Sequence, residues 1–128
     1  SCPERKYMQV SSKKLNKNIE KQIFVMLCQV LAETRDVERV KILLTDLLTE
    51  SEELAMAKRL AIAVYLDKGR SYEDIKNHLK VSSATIASVA EQMGNPGVQL
   101  ALNHVKAEEW ADDWSKKISG LVDKMLSR

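Results

Sequence analysis

With 128 residues, 45% hydrophobic and 30% charged, the chain is long enough for one domain with its own core and too short for two comfortable ones. That balance excludes a disordered segment, and four glycines, two prolines and few aromatics favour helices over strands. A formal net charge of +2 excludes a protein that coats nucleic acid over its whole surface, so any nucleic-acid site must be a local patch.

Two cysteines, Cys2 and Cys28, make no disulfide framework; Cys28 continues the apolar run 23–27 and is expected to pack as a small hydrophobe. There is no signal-peptide pattern and no apolar run near the ~18 residues that cross a membrane, so a cytoplasmic location is expected. Residues 1–10 read as a flexible N-terminal segment, one reading being a tag remnant ahead of Met8.

Punctuation divides the rest into about seven helical segments, an all-α pattern. The first, residues 12–33, repeats Leu15, Ile19, Ile23, Met26, Leu27, Val30 and Leu31 at steps of three and four. Its second half is apolar nearly all round and needs partners on more than one side, which a second subunit would supply. Asp36 is placed to cap the next helix, which carries Val37, Val40, Leu43, Leu44 and Leu47. Thr49 and Glu52 form a capping box. The helix they open stops at Gly69, with Leu54, Ala57, Leu60, Ala61, Val64 and Tyr65 as its expected core stripe, interrupted by Lys58 and Arg59.

Residues 70–93 carry the functional expectation. Ser71, with Asp74 three residues on, opens a short helix whose Ile75 and Leu79 face inward. Val81 plugs a tight connection, and Ser82 caps a second helix with Ile86, Val89, Ala90 and Met93 turned to the core. Two short helices, a turn of about three residues and one apolar seam make a helix-turn-helix. The outward face of the second helix is Ser83, Ala84, Ala87, Ser88 and Glu91, with Thr85 beside it. Small residues let a helix sink into a major groove, where hydroxyls and methyls meet base edges. The candidate site for double-stranded DNA is therefore Lys76, Lys80, Ser82, Ser83, Ala84, Thr85, Ala87 and Ser88, the lysines serving phosphates. Residues 1–22, with six cations against two acids, are either an added DNA-contacting arm or a solvated face.

Asn95 and Pro96 open a further helix that buries Val98, Ala101, Leu102 and Val105. A last helix, residues 107–128, aligns Trp110, Trp114, Ile118, Leu121, Val122 and Met125. Its acids Glu108, Glu109, Asp112 and Asp113 precede Lys116, Lys117 and Lys124, an order that suits a helix dipole. The tryptophans are packing anchors or part of a partner interface.

His78 and His104 lack further ligands at metal spacing, and 94–97 is a turn without the Lys-Ser/Thr of a phosphate loop. No Cys-His or Ser-His-Asp arrangement can be argued, so neither metal, cofactor nor enzymatic activity is expected. His78 reads as a phosphate or solvent contact.

Leu48-Thr49 with Glu52, Arg59 ten residues before Gly69, Lys76-Asn77, Leu79 and Ala84-Thr85-Ile86 stand in an order that resembles the Trp repressor superfamily. The resemblance covers residues 47–105, and 94–105 is most similar to its Trp-repressor-related bacterial branch. It implies a domain over residues 11–106 that forms an intertwined homodimer, the first helices of two subunits wrapping into one core. It also implies two recognition helices about 34 Å apart on successive major grooves. In the founding members an indole is held between two arginines. Arg59 matches the first, but Ser88 stands at the second and Val89 replaces a neighbouring glycine. A serine cannot stack on an indole, so tryptophan is not the expected corepressor, and the effector is left open. Arg59 would then pair with an acid or a phosphate. The tail beyond Ala107 has no counterpart in short members of that family. A dimer that works through protein contacts made by this tail is the alternative function.

Overall fold

The computed structural model describes residues 13–126, with the side chains of 110–116 excepted. Among the described residues six α-helices follow one another: α1 (Lys17–Thr34), α2 (Val37–Leu47), α3 (Glu50–Asp67), α4 (Tyr72–Leu79), α5 (Ser83–Glu91) and α6 (Pro96–Leu126). Among the described residues there is no strand, and no helix is long and apolar enough to cross a membrane. The chain divides within α3 into two compact units, residues 1–55 and 56–128.

In the first unit α1 packs on α2. α1 begins at Lys17, later than residue 12, because the Asn16 side chain caps it by accepting from the Asn18 N–H at 2.8 Å. Asp36 holds the N-cap position of α2 but its side chain makes no capping hydrogen bond, so that expectation fails in its chemistry. The Thr49 box forms as expected: the Glu52 N–H donates to Thr49 Oγ1 at 3.2 Å, and the Thr49 N–H donates to Glu52 Oε1 at 2.8 Å. Thr45 Oγ1 donates to Glu53 Oε1 at 3.0 Å, tying α2 to the first turn of α3.

No described residue of this unit is buried. Ile19, Ile23, Phe24, Val25, Met26 and Val30 are all exposed. Cys28 is exposed with them, so the packing expected for it is not made within one chain. A helix that is apolar on every side has more surface to cover than one neighbouring helix can reach.

The second unit has a core of Ile62, Ala63, Ile75, Ile86, Val89 and Leu102, contributed by α3, α4, α5 and α6. Tyr65, Leu66, Leu79, Val81, Met93 and Val98 pack around it, partly buried. The inward residues expected of the helix-turn-helix are therefore in place. The stripe expected on α3 is met only at its C-terminal end, where Val64 and Tyr65 pack against the core. Ile62 and Ala63 are covered, while Leu54 and Leu60 remain exposed, because α3 is apolar on more than one face and spacing alone does not rank the faces.

α3 ends in a Schellman motif. Gly69 is left-handed (φ 78°), its N–H donates to Leu66 O at 3.0 Å, and the Arg70 N–H donates to Tyr65 O at 3.0 Å. Pro96 begins α6, and the Gln99 N–H donates to Asn95 O at 3.0 Å. The two helices expected after residue 95 are one continuous helix of 31 residues. Nothing between Lys106 and Glu109 can stop it: the stretch contains no Gly or Pro, and Ala and Glu are good helix formers. Glu108 and Glu109 thus sit mid-helix rather than at a positive helix end, which removes the dipole explanation of the acidic run. The Trp110 and Trp114 side chains, Cys2 and the segment 1–10 lie outside the described residues.

Candidate nucleic-acid interface

α4 and α5 are short helices packed on each other, joined by residues 80–82. Each opens on a serine. The Asp74 N–H donates to Ser71 Oγ at 3.1 Å, and the Thr85 N–H donates to Ser82 Oγ at 3.1 Å. Ser82 Oγ also lies 2.8 Å from Thr85 Oγ1, so both hydroxyls of the α5 cap are engaged with each other. Lys80 closes α4 in a left-handed conformation (φ 54°, ψ 55°), its N–H donating to Lys76 O at 2.9 Å. Val81, partly buried against the core, fixes the inside of the turn.

The residues singled out in the sequence fall into two groups. Lys76, Lys80, Ser82, Ser83 and Ala84 are exposed around the turn and the first turn of α5. Thr85, Ala87 and Ser88 are partly buried, so they stand farther from an approaching surface than the sequence pattern suggests. The reason is the length of α5. Nine residues pressed on the core at Ile86 and Val89 leave only Ser83 and Ala84 at its start and Glu91 at its end fully open.

Charge is distributed unevenly around this pair. Lys68 is ion-paired with Glu109 at 2.7 Å, and Arg70 lies 3.8 Å from Asp74 while its guanidinium sits over the Tyr65 ring at 5.2 Å. Among the described residues, Lys76 and Lys80 have no acidic partner. His78, exposed on α4, meets the edge of Tyr65 in a T-shaped contact with centroids 6.1 Å apart. The sequence offered no sign of Lys58, whose Nζ donates to Lys80 O at 3.2 Å across 22 residues; its only trace was the break in the apolar stripe of α3.

Behind α5 a cleft of roughly 190 Å³ is lined by Arg59, Leu60 and Ala63 of α3, Val89 of α5, Gln92, and Gly97, Val98 and Ala101 of α6. One guanidinium and one amide stand among otherwise apolar or small residues there. Among the described residues no cluster of His, Cys, Asp or Glu could hold a metal ion.

The match to known proteins spans both units. An uncharacterized protein, YerC, of Bacillus subtilis (strain 168) is 34% identical over 77 residues, 59% of this chain and 74% of its own length. No solved structure matches. Residues 22–106 match the family described as Trp repressor protein, an extent that takes in α1 to α5 and the first part of α6 and stops before the tail. The chain belongs to the Trp repressor family.

Proposed function

We propose that the protein is a sequence-specific, DNA-binding transcriptional regulator that acts as a homodimer through the α4–α5 helix-turn-helix. The observation that carries this reading is the combination of a small, exposed first turn on α5 (Ser83, Ala84) with two unpaired lysines beside it, Lys76 and Lys80. Small side chains allow the helix backbone to approach a groove floor, and the flanking ammonium groups meet phosphates on its rim. No Arg, Lys, Asn or Gln stands on α5 itself, so base readout rests on hydroxyl and methyl contacts, bridging water and DNA shape. Family membership supports the same reading, with a cytoplasmic location and no catalytic role.

The exposed apolar surface of α1 supports the dimer. Burying a side chain such as Phe24 or Ile23 stabilises by roughly 1.5–3 kcal/mol, and a single chain leaves that gain unused along the whole helix. Two recognition helices would then read a two-fold symmetric site with half-sites about one turn apart.

Tryptophan is not the effector in this reading. Among the described residues Arg59 is the one cation on the cleft, Ser88 carries no guanidinium, and the Val89 side chain forms part of the wall. Isothermal calorimetry with L-tryptophan is expected to show no heat of binding, and micromolar affinity would overturn that part. The function itself is tested by binding the full chain to random genomic fragments and sequencing what is retained. An enriched, two-fold symmetric site is expected at moderate salt, and its absence would overturn the regulator reading. The exposed Ile118, Leu121, Val122 and Met125 of α6 favour one other reading, a module that works through protein contacts of its tail.

A further inference from the structure

α4 ends on a strained and electrically unfavourable point. Lys80 is a left-handed residue with a side chain, a conformation held only where the surroundings enforce it. Its carbonyl is among the last acceptors of α4, groups that no further turn of helix satisfies and that carry the partial negative charge of the helix end. On the reading above, this end lies beside the phosphates, where negative charge is least welcome. Lys58, partly buried on α3, reaches across and donates from Nζ to Lys80 O at 3.2 Å. One contact thus ties the core helix to the turn, supports the left-handed residue and places a cation on the exposed carbonyl.

We propose that Lys58 is a positioning residue for DNA recognition, holding the turn at residues 80–82 so that α5 leaves it at a fixed angle. This rests on the helix-turn-helix reading and adds a residue outside the motif to it. Lys58 acts through the backbone and not on a phosphate. Its ammonium donates to Lys80 O, whereas the side chains of Lys76 and Lys80 are exposed and have no acidic partner among the described residues. Losing it should blur the angle of α5 and so cost recognition of the correct sequence more than attachment to any duplex.

The test compares the full chain with Lys58→Met, which keeps length and loses the donor, and Lys58→Arg, which keeps donors. Each is titrated against the operator duplex obtained from fragment selection and against a random duplex of equal length. Lys58→Met is expected to weaken operator binding by about tenfold, with random-duplex binding and the slope of log affinity against log salt unchanged. Lys58→Arg is expected to restore operator binding to within about threefold of the parent. A salt slope reduced by about one, with both duplexes weakened equally, would show a phosphate contact and overturn the proposal. So would operator binding unaffected by Lys58→Met. Amide hydrogen exchange reads the turn without DNA. The Lys80 and Thr85 amides, which close α4 and open α5, are expected to exchange at least about tenfold faster in Lys58→Met, and unchanged rates would overturn the hold on the turn. A parent chain that binds no DNA would defeat the regulator reading, while the exchange rates still decide whether Lys58 holds the turn.

Discussion

Residues 1–55 and 56–128 are both rich in apolar side chains, yet among the described residues only the second unit buries any of them fully. Six residues from four helices close a core in the second unit, and the helix-turn-helix is built on it. The first unit offers Ile23, Phe24, Val25 and Met26 to solvent on successive positions of α1. The same hydrophobic effect acts on both. What differs is the number of partners: four helices enclose a point between them, whereas one helix packed on another covers a single stripe. The proposed homodimer would cover the apolar surface that the first unit leaves open.

The largest expected effect breaks this comparison at the first unit. Phe24→Asp places a charge on each of two copies of the surface proposed to meet. It is expected to raise the dimer dissociation constant by on the order of 10³-fold in sedimentation equilibrium, from about 2 kcal/mol per copy. An unchanged constant would mean that α1 is not the dimer surface and that its exposure has another cause. Next in size is Ile62→Ala in the second unit, which empties a fully buried position. A loss of roughly 2–5 kcal/mol is expected in urea unfolding at fixed protein concentration. Should the loss fall below about 1 kcal/mol, the core of the second unit would be less tightly packed than its burial indicates. The smallest effect sharpens the role of that unit rather than its stability. Lys76→Ala and Lys80→Ala should each leave the unfolding curve in place and flatten the log-affinity against log-salt slope by about one, for operator and random duplex alike. A slope that stays the same removes that lysine from the interface.

Features of the chain that depend on neighbours within a few residues were legible in the sequence. The Thr49, Ser71 and Ser82 caps and the left-handed Gly69 follow from short-range hydrogen-bonding chemistry, and each appears where its residues stand. The inward set Ile75, Leu79, Ile86 and Val89 followed from helical spacing between those caps. Asp36 shows the limit of the same reasoning, since its position is right and its side-chain bond is absent. Features fixed by distant parts of the chain were not legible. The choice of Ile62 over Leu60 as the buried face of α3 is made by what packs against α3. The reach of Lys58 to Lys80 joins residues 22 apart, with no local pattern to announce it. In the candidate site, the exposed lysines and the first turn of α5 were found, while the partial burial of Thr85, Ala87 and Ser88 depends on how closely α5 is pressed to the core.

The unbroken α6 has a mechanical meaning. Its first turns are locked into the second unit by Leu102, and the ion pairs Lys106–Asp67 (3.1 Å) and Lys68–Glu109 (2.7 Å) clasp it to the end of α3. From Leu102 to Leu126 the rise of about 1.5 Å per residue gives an arm of about 36 Å. A tilt of about 5° at its root carries the far end about 3 Å sideways over that length. A small adjustment beside the cleft, where Val98 and Ala101 of the same helix form part of the wall, would be amplified in that proportion at the tip. On the proposed function, such a lever would have its fulcrum in the unit that carries the helix-turn-helix.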